Sequence, residues 1–131
     1  DYAHHPTEIR ATLAAAQNVP HQKLWCLFQP HTYTRTRALF NEFAEALSAA
    51  DAVVLAEIYG AREKNIYQIS AASLAEKIKD MHPEKEVFFI PDFEEMAAFV
   101  KERTTAGDMV MTMGAGDIYR VGEIILGAED R

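Results

Sequence analysis

Four short apolar runs, separated at regular intervals by segments patterned as helices, limit what this chain can fold into more than any other feature. Leu24-Trp25-Cys26-Leu27-Phe28, Ala52-Val53-Val54-Leu55-Ala56, Val87-Phe88-Phe89-Ile90 and Met109-Val110-Met111-Thr112-Met113 lack polar alternation, so each predicts a strand covered on both faces. Pro6 and Thr7 open a helix with Ile9, Leu13 and Ala16 on one face, and Asn18-Val19-Pro20 ends it. The next helix spaces Leu39, Phe40, Phe43, Ala46 and Leu47 and stops near Ala50. Ser70 caps a helix bearing Leu74, Ala75 and Ile78, which Pro83 closes. Asp92 and Glu95 form a capping-box-like pair ahead of Met96, Phe99 and Val100, and a last helix carries Ile118, Val121 and Ile125. This alternation implies right-handed crossovers and an α/β fold: a Rossmann-like doubly wound, mainly parallel sheet with helices on both faces. Residues 1–6 lead into a helix with no strand before them, so the sheet is expected to lack its first strand.

A length of 131 residues with 49% hydrophobic composition fits one domain around one core. The formal charge of −7 repels nucleic acid and anionic lipid, which excludes both as partners and leaves any bound anion to a local basic cluster. No apolar stretch approaches a membrane span, and no basic segment followed by an apolar one opens the chain. The single cysteine, Cys26, lies within an apolar run and predicts a buried, inert thiol, in keeping with a cytoplasmic protein.

In a doubly wound sheet, ligands bind beyond the carboxyl ends of the strands, a rule that selects residues 29–36, 57–65 and 114–117. In the first of these, Arg35 stands in the first turn of a helix, where its charge opposes the macrodipole unless an anion is near. Arg37 is expected to project to water or to pair with Glu42. His31 follows Pro30 with no evident structural duty beyond the turn. His4 and His5, before Pro6, read equally as helix-entry groups bonded to local backbone or as ligand groups. Glu57, Tyr59, Arg62, Glu63 and Lys64 make a mixed-charge loop of the solvated kind. Gly114-Ala115-Gly116 matches the first two glycines of a dinucleotide fingerprint, but Tyr119 stands where the third small residue belongs. His21 and His82 read as surface residues. No His/Cys/Asp spacing suits a metal, no serine sits in a strand-to-helix elbow, and no Gly-x-x-x-x-Gly-Lys-Thr loop is present. Phosphoryl transfer is therefore beyond this chain alone.

The run Asp1-Tyr2-Ala3-His4-His5-Pro6-Thr7-Glu8, then Phe28-Gln29-Pro30-His31-Thr32-Tyr33-Thr34-Arg35-Thr36, Glu57-Ile58-Tyr59-Gly60-Ala61-Arg62-Glu63 and Met113-Gly114-Ala115-Gly116-Asp117-Ile118, resembles the carboxy-terminal domain of the Mur ligases. The opening motif is shared by several members, whereas Phe-Gln-Pro-His with Tyr-Thr-Arg-Thr is specific to the alanine-adding branch. The resemblance covers nearly the whole chain and makes residues 1–131 one domain of a three-domain cytoplasmic enzyme of peptidoglycan synthesis. It implies a ligase that joins L-alanine to UDP-N-acetylmuramate through an acyl phosphate. An amino-terminal domain would hold the UDP-sugar, a central domain ATP and Mg2+, and the present domain would close on the central one to present the amino acid.

Carried over position by position, the resemblance places Arg35, His31, His4 and Tyr2 around L-alanine and Asp1 at the nucleotide, with no metal ligand in the chain. Thr32 stands where relatives carry a second arginine, which leaves one guanidinium from this loop. Two other assignments stay open: the same domain of the ligase that recycles murein tripeptide, and a non-catalytic flavodoxin-like binding module. The Tyr-Thr-Arg-Thr segment opposes the first. The second, as an acidic response-regulator-like protein, would need an acidic cluster after its first strand and a lysine after its last.

Overall fold

A computed structural model describes residues 3–127. Strands β1 (Leu24–Phe28), β2 (Ala52–Leu55), β3 (Glu86–Phe89) and β4 (Met109–Met113) form one sheet in the order β3-β2-β1-β4, with every pairing parallel. Successive residues of a strand point to opposite faces, and β1 divides accordingly. Leu24, Cys26 and Phe28 pack with α1 (Pro6–Gln17), α3 (Phe40–Leu47) and α4 (Ala71–Met81). Trp25 and Leu27 pack with α5 (Phe93–Arg103) and α6 (Tyr119–Ile125). Helices thus cover both faces, as the alternation predicted. All five residues of β1 and all four of β2 are buried, whereas β3 and β4 form the sheet edges and are only partly covered. Burial of Cys26 pushes its thiol up to about 12, so it stays protonated and inert at neutral pH.

The chain moves from β1 to β2 on one side and returns to β4 on the other, so the crevice at the carboxyl ends of β1 and β4 is the topological switch point. The segment expected as one helix up to Ala50 is two. After α2 (Tyr33–Ala38), the backbone leaves helical geometry at Leu39 (φ −113°, ψ 27°) before α3 begins. Four of the eight residues of α3 are buried, against Thr36 alone in α2, so the break frees the six-residue α2 from the core and leaves it beside the switch point.

Helix starts follow from local chemistry. Ser70 accepts the Ala72 N–H at 3.1 Å and Asp92 the Glu95 N–H at 2.9 Å. The complete reciprocal capping box forms at α1: His5 Nδ1 accepts the Thr7 N–H at 3.2 Å and Glu8 accepts the His5 N–H at 3.1 Å.

Candidate functional site

His4 and His5 separate into different roles. His5 is exposed and spent on the α1 cap. His4 is half-buried, and its ring meets that of His31 edge-on at 6.2 Å. Its backbone N–H donates to Glu8 at 3.3 Å, the largest of the effects holding that carboxyl below the usual range. Asp1 and Tyr2, expected at the nucleotide and at alanine, lie outside the described residues.

Behind His31, the loop after β1 and the loop after β2 interlock. The Tyr59 N–H donates to Pro30 O at 2.8 Å and the Thr32 N–H to Tyr59 O at 2.7 Å, a parallel bridge between His31 and Tyr59. The two rings stack at 5.5 Å and 16°. Thr32 has φ 66° and ψ 144°, a conformation that costs a β-branched residue about 1–3 kcal/mol and persists only where surrounding contacts impose it. Those contacts are local: Thr32 Oγ1 accepts the Arg35 N–H at 3.2 Å, and Thr32 O accepts the Thr36 hydroxyl at 2.7 Å. Thr32, the departure from the family's second arginine, is the N-cap of α2.

This geometry brings His4 against His31, close enough to Arg35 for its charge to act on the His31 ring. The His31 imidazole is held below its ordinary range, first by burial and then by the Arg35 and His4 charges, against a smaller opposing effect of Glu63. It is neutral at pH 7, and among the described residues its buried Nδ1 has no hydrogen-bond partner. Arg35 is half-buried, and among the described residues no carboxylate oxygen lies within 4.0 Å of its guanidinium. Arg37 is exposed and lies over the Tyr67 ring at 4.6 Å rather than beside Glu42. A guanidinium with no described carboxylate within 4.0 Å, in the same loop at the carboxyl end of β1 as an imidazole whose Nδ1 has no described partner, suits a small molecule bearing a carboxylate.

The mixed-charge loop after β2 proves more than a solvated connection. Glu57 accepts the Ala71 N–H at 2.9 Å and the Ser70 hydroxyl at 2.8 Å, which anchors the start of α4. Glu63 accepts both the N–H and the hydroxyl of Thr34, at 3.0 and 2.8 Å. The signal for Glu63 was its place in the Tyr-Gly-Ala-Arg-Glu segment, but its partner lies 29 residues earlier in the chain.

Gly114 and Gly116 do not build a phosphate cradle. A Cβ on Gly114 (φ 148°) would stand 2.9 Å from Gln29 O, and one on Gly116 would stand 2.8 Å from Gln29 Oε1. Both glycines make room for the Gln29 side of the switch point, where the Gln29 N–H donates to Met113 O at 3.1 Å. A cleft of about 530 Å³ also opens at this end of the sheet, between Gln29, Tyr59, Asp92, Glu94 and Arg120. It shares Tyr59 with the site but is lined by none of His4, His31 and Arg35. Among the described residues, no group of three or more His, Cys, Asp or Glu side chains is placed to share a metal ion.

The sequence matches the family model described as Mur ligase, glutamate ligase domain, over residues 1–116. The chain belongs to the Mur ligase family. Over 126 residues this Mur ligase segment is 56% identical to the UDP-N-acetylmuramate–L-alanine ligase of Lachnospira eligens, an alignment covering 96% of this chain and 27% of that protein. The crystal structure of the UDP-N-acetylmuramate–alanine ligase of Thermotoga maritima is similar with a TM-score of 0.72 and 27% identity, covering 99% of this chain and 26% of that one. A murein peptide ligase of Psychrobacter arcticus gives a TM-score of 0.77 at 20% identity, over 98% of this chain and 26% of that one, a likeness of fold alone. The chain spans about a quarter of the length of the curated relatives it matches.

Proposed function

We propose that the full-length protein is a cytoplasmic, ATP-dependent ligase that joins L-alanine to UDP-N-acetylmuramate, and that this chain is the single domain presenting the amino acid. Half-buried Arg35, with no described carboxylate within 4.0 Å and in one loop with neutral His31, carries the proposal. The 56% identity to a named alanine ligase supports alanine over murein tripeptide, since the murein peptide ligase is only 20% identical. Membership of a ligase family displaces the non-catalytic binding module. Among the described residues no helix is long and apolar enough to cross a membrane.

In the proposed reaction ATP transfers its terminal phosphoryl group to the lactyl carboxylate of UDP-N-acetylmuramate, giving an acyl phosphate and ADP. The amine of L-alanine attacks the acyl carbon, loses a proton, and the tetrahedral intermediate expels inorganic phosphate to leave the amide. ATP and Mg2+ are assigned mainly to the central domain, as the resemblance to three-domain Mur ligases implies. The work left to this domain is positioning, which lowers a barrier by holding the amine in line with the acyl carbon. Arg35 grips the alanine carboxylate, and His31, His4 and Tyr2 line its pocket. On closure against the central domain, Asp1 accepts hydrogen bonds from the ribose of ATP.

Phosphate release by the full-length protein should require ATP, UDP-N-acetylmuramate and L-alanine together, while the 131-residue chain alone should release none above background. Turnover with murein tripeptide in place of alanine would overturn the assignment, and turnover by the isolated chain would overturn the division of labour. Asp1→Ala in the full-length enzyme should weaken ATP by about 1–3 kcal/mol, the scale of a lost buried acceptor, and leave alanine nearly unchanged. Initial rates with each substrate varied in turn check this, and an effect confined to alanine would move Asp1 into the amino-acid pocket.

A further inference from the structure

We infer that Glu63, from the loop after β2, is a positioning residue for L-alanine binding: by gripping Thr34 it fixes the first turn of α2 and thereby aims Arg35, a role that rests on the alanine site proposed above.

The loops after β1 and β2 meet residue against residue. Pro30 and Thr32 share backbone hydrogen bonds with Tyr59, and the His31 ring stacks on the Tyr59 ring. Tyr33 fills the space where a side chain on Gly60 would begin, since a Cβ there would stand 2.5 Å from its ring. Thr34 then meets Glu63 with both of its donors, at 3.0 and 2.8 Å. Arg35 is the next residue. Its own N–H is tied to the Thr32 hydroxyl of the helix cap, so the two residues before it are held by the second loop and its own backbone by the cap.

Such tethering has a physical purpose. α2 spans six residues, too short to hold its first turn without help, and it begins at Thr32, whose backbone is strained. The first turn of α2 carries no acidic residue of its own, and Arg35 and Arg37 both belong to its last turn. Glu63 supplies the side-chain acceptor that the helix start lacks, and the Thr34 bonds hold its carboxyl below the usual range. It nevertheless lies beyond 4.0 Å of the Arg35 guanidinium, so it stabilises the turn while leaving the guanidinium available to a ligand carboxylate.

The test is steady-state kinetics of the full-length ligase. Glu63→Ala should raise KM for L-alanine about tenfold, the equivalent of one hydrogen bond to a charged group, with kcat and the KM for ATP changed less than about twofold. Glu63→Gln should restore the wild-type KM to within about twofold, because its amide oxygen accepts the Thr34 N–H and its NH2 donates to the Thr34 hydroxyl. Thr34→Val, which removes only the hydroxyl, should give a smaller rise of about threefold. In an Arg35→Ala background, Glu63→Ala should add little to KM, since two residues acting through one contact are not additive. An unchanged alanine KM in a folded Glu63→Ala protein, equal rises for all three substrates, or an undiminished effect in the Arg35→Ala background would overturn the role of Glu63. An Arg35→Ala enzyme that saturates normally with alanine would instead overturn the site reading, and the role of Glu63 with it.

Discussion

Arg35→Ala in the full-length ligase is expected to lower kcat/KM for L-alanine by about 2–5 kcal/mol, the scale of removing one partner of a desolvated ion pair. The guanidinium is half-buried and no described carboxylate neutralises it, so the charge is kept available at an electrostatic cost. Because the chain breaks at Leu39, Arg35 falls in the last turn of the six-residue α2, and the macrodipole penalty expected for the first turn of a long helix does not arise. A bidentate carboxylate recovers that cost when alanine binds, and truncation forfeits the recovery. Stability should change by less than about 1 kcal/mol, because only a partly covered stem is lost and no described carboxylate is left without its partner. Arg37→Ala is the control: its side chain is exposed on the Tyr67 ring and should move kcat/KM by no more than about 0.5 kcal/mol. Equal and mild losses from the two variants, with alanine saturation unchanged, would place the alanine carboxylate elsewhere.

What the sequence disclosed and what it concealed divide along contact range. The strands were legible because a run such as Trp25-Cys26-Leu27 is apolar on both faces, and the two core clusters accept its side chains alternately. Ser70 and Asp92 were legible because a cap and its N–H partner lie within three residues. The place of the loop carrying Arg35 and His31 was legible because it follows β1, which lies at the switch point of the sheet. Partners distant in sequence stayed hidden: Glu57 bonded to Ala71, Glu63 to Thr34, and the Gly114 and Gly116 spaces taken by Gln29. The glycines show why spacing misleads, since close approach of a ligand phosphate and close approach of a neighbouring loop demand the same missing Cβ. The His5–Glu8 box went unseen for a different reason: His is an uncommon N-cap, so a pair that serves the helix looked equally like ligand groups. The break at Leu39 is invisible to apolar periodicity, because Leu39 and Phe40 both pack against the first core cluster and so continue the expected spacing.

Phe28→Ala is expected to destabilise the 131-residue chain by about 3–5 kcal/mol, the usual cost of deleting a fully buried aromatic side chain and leaving its cavity. Phe28 has 0% exposure and its ring lies 5.7 Å from that of Phe43 on α3. It is paired on both sides, with Leu55 of β2 and Met113 of β4, so neighbouring strands limit how far the backbone can collapse into the void. Domains of this size have about 5–15 kcal/mol of stability in all, so the variant should melt about 10 °C or more below wild type. Ile66→Ala, at a side chain 73% exposed, should shift stability by no more than about 0.5 kcal/mol. Thermal and urea unfolding followed by circular dichroism check both. Phe28 is also the last residue of β1, directly before Gln29 and the site loop, and its carbonyl accepts the Ala56 N–H at 3.0 Å where the second loop departs. The Thr32 N–H that joins the two loops should therefore exchange with solvent faster in Phe28→Ala, since no amide can be protected beyond the global stability. A wild-type melting temperature with wild-type protection at Thr32 would mean that the carboxyl end of β1 is held by the interlocked loops themselves and not by the core beneath them.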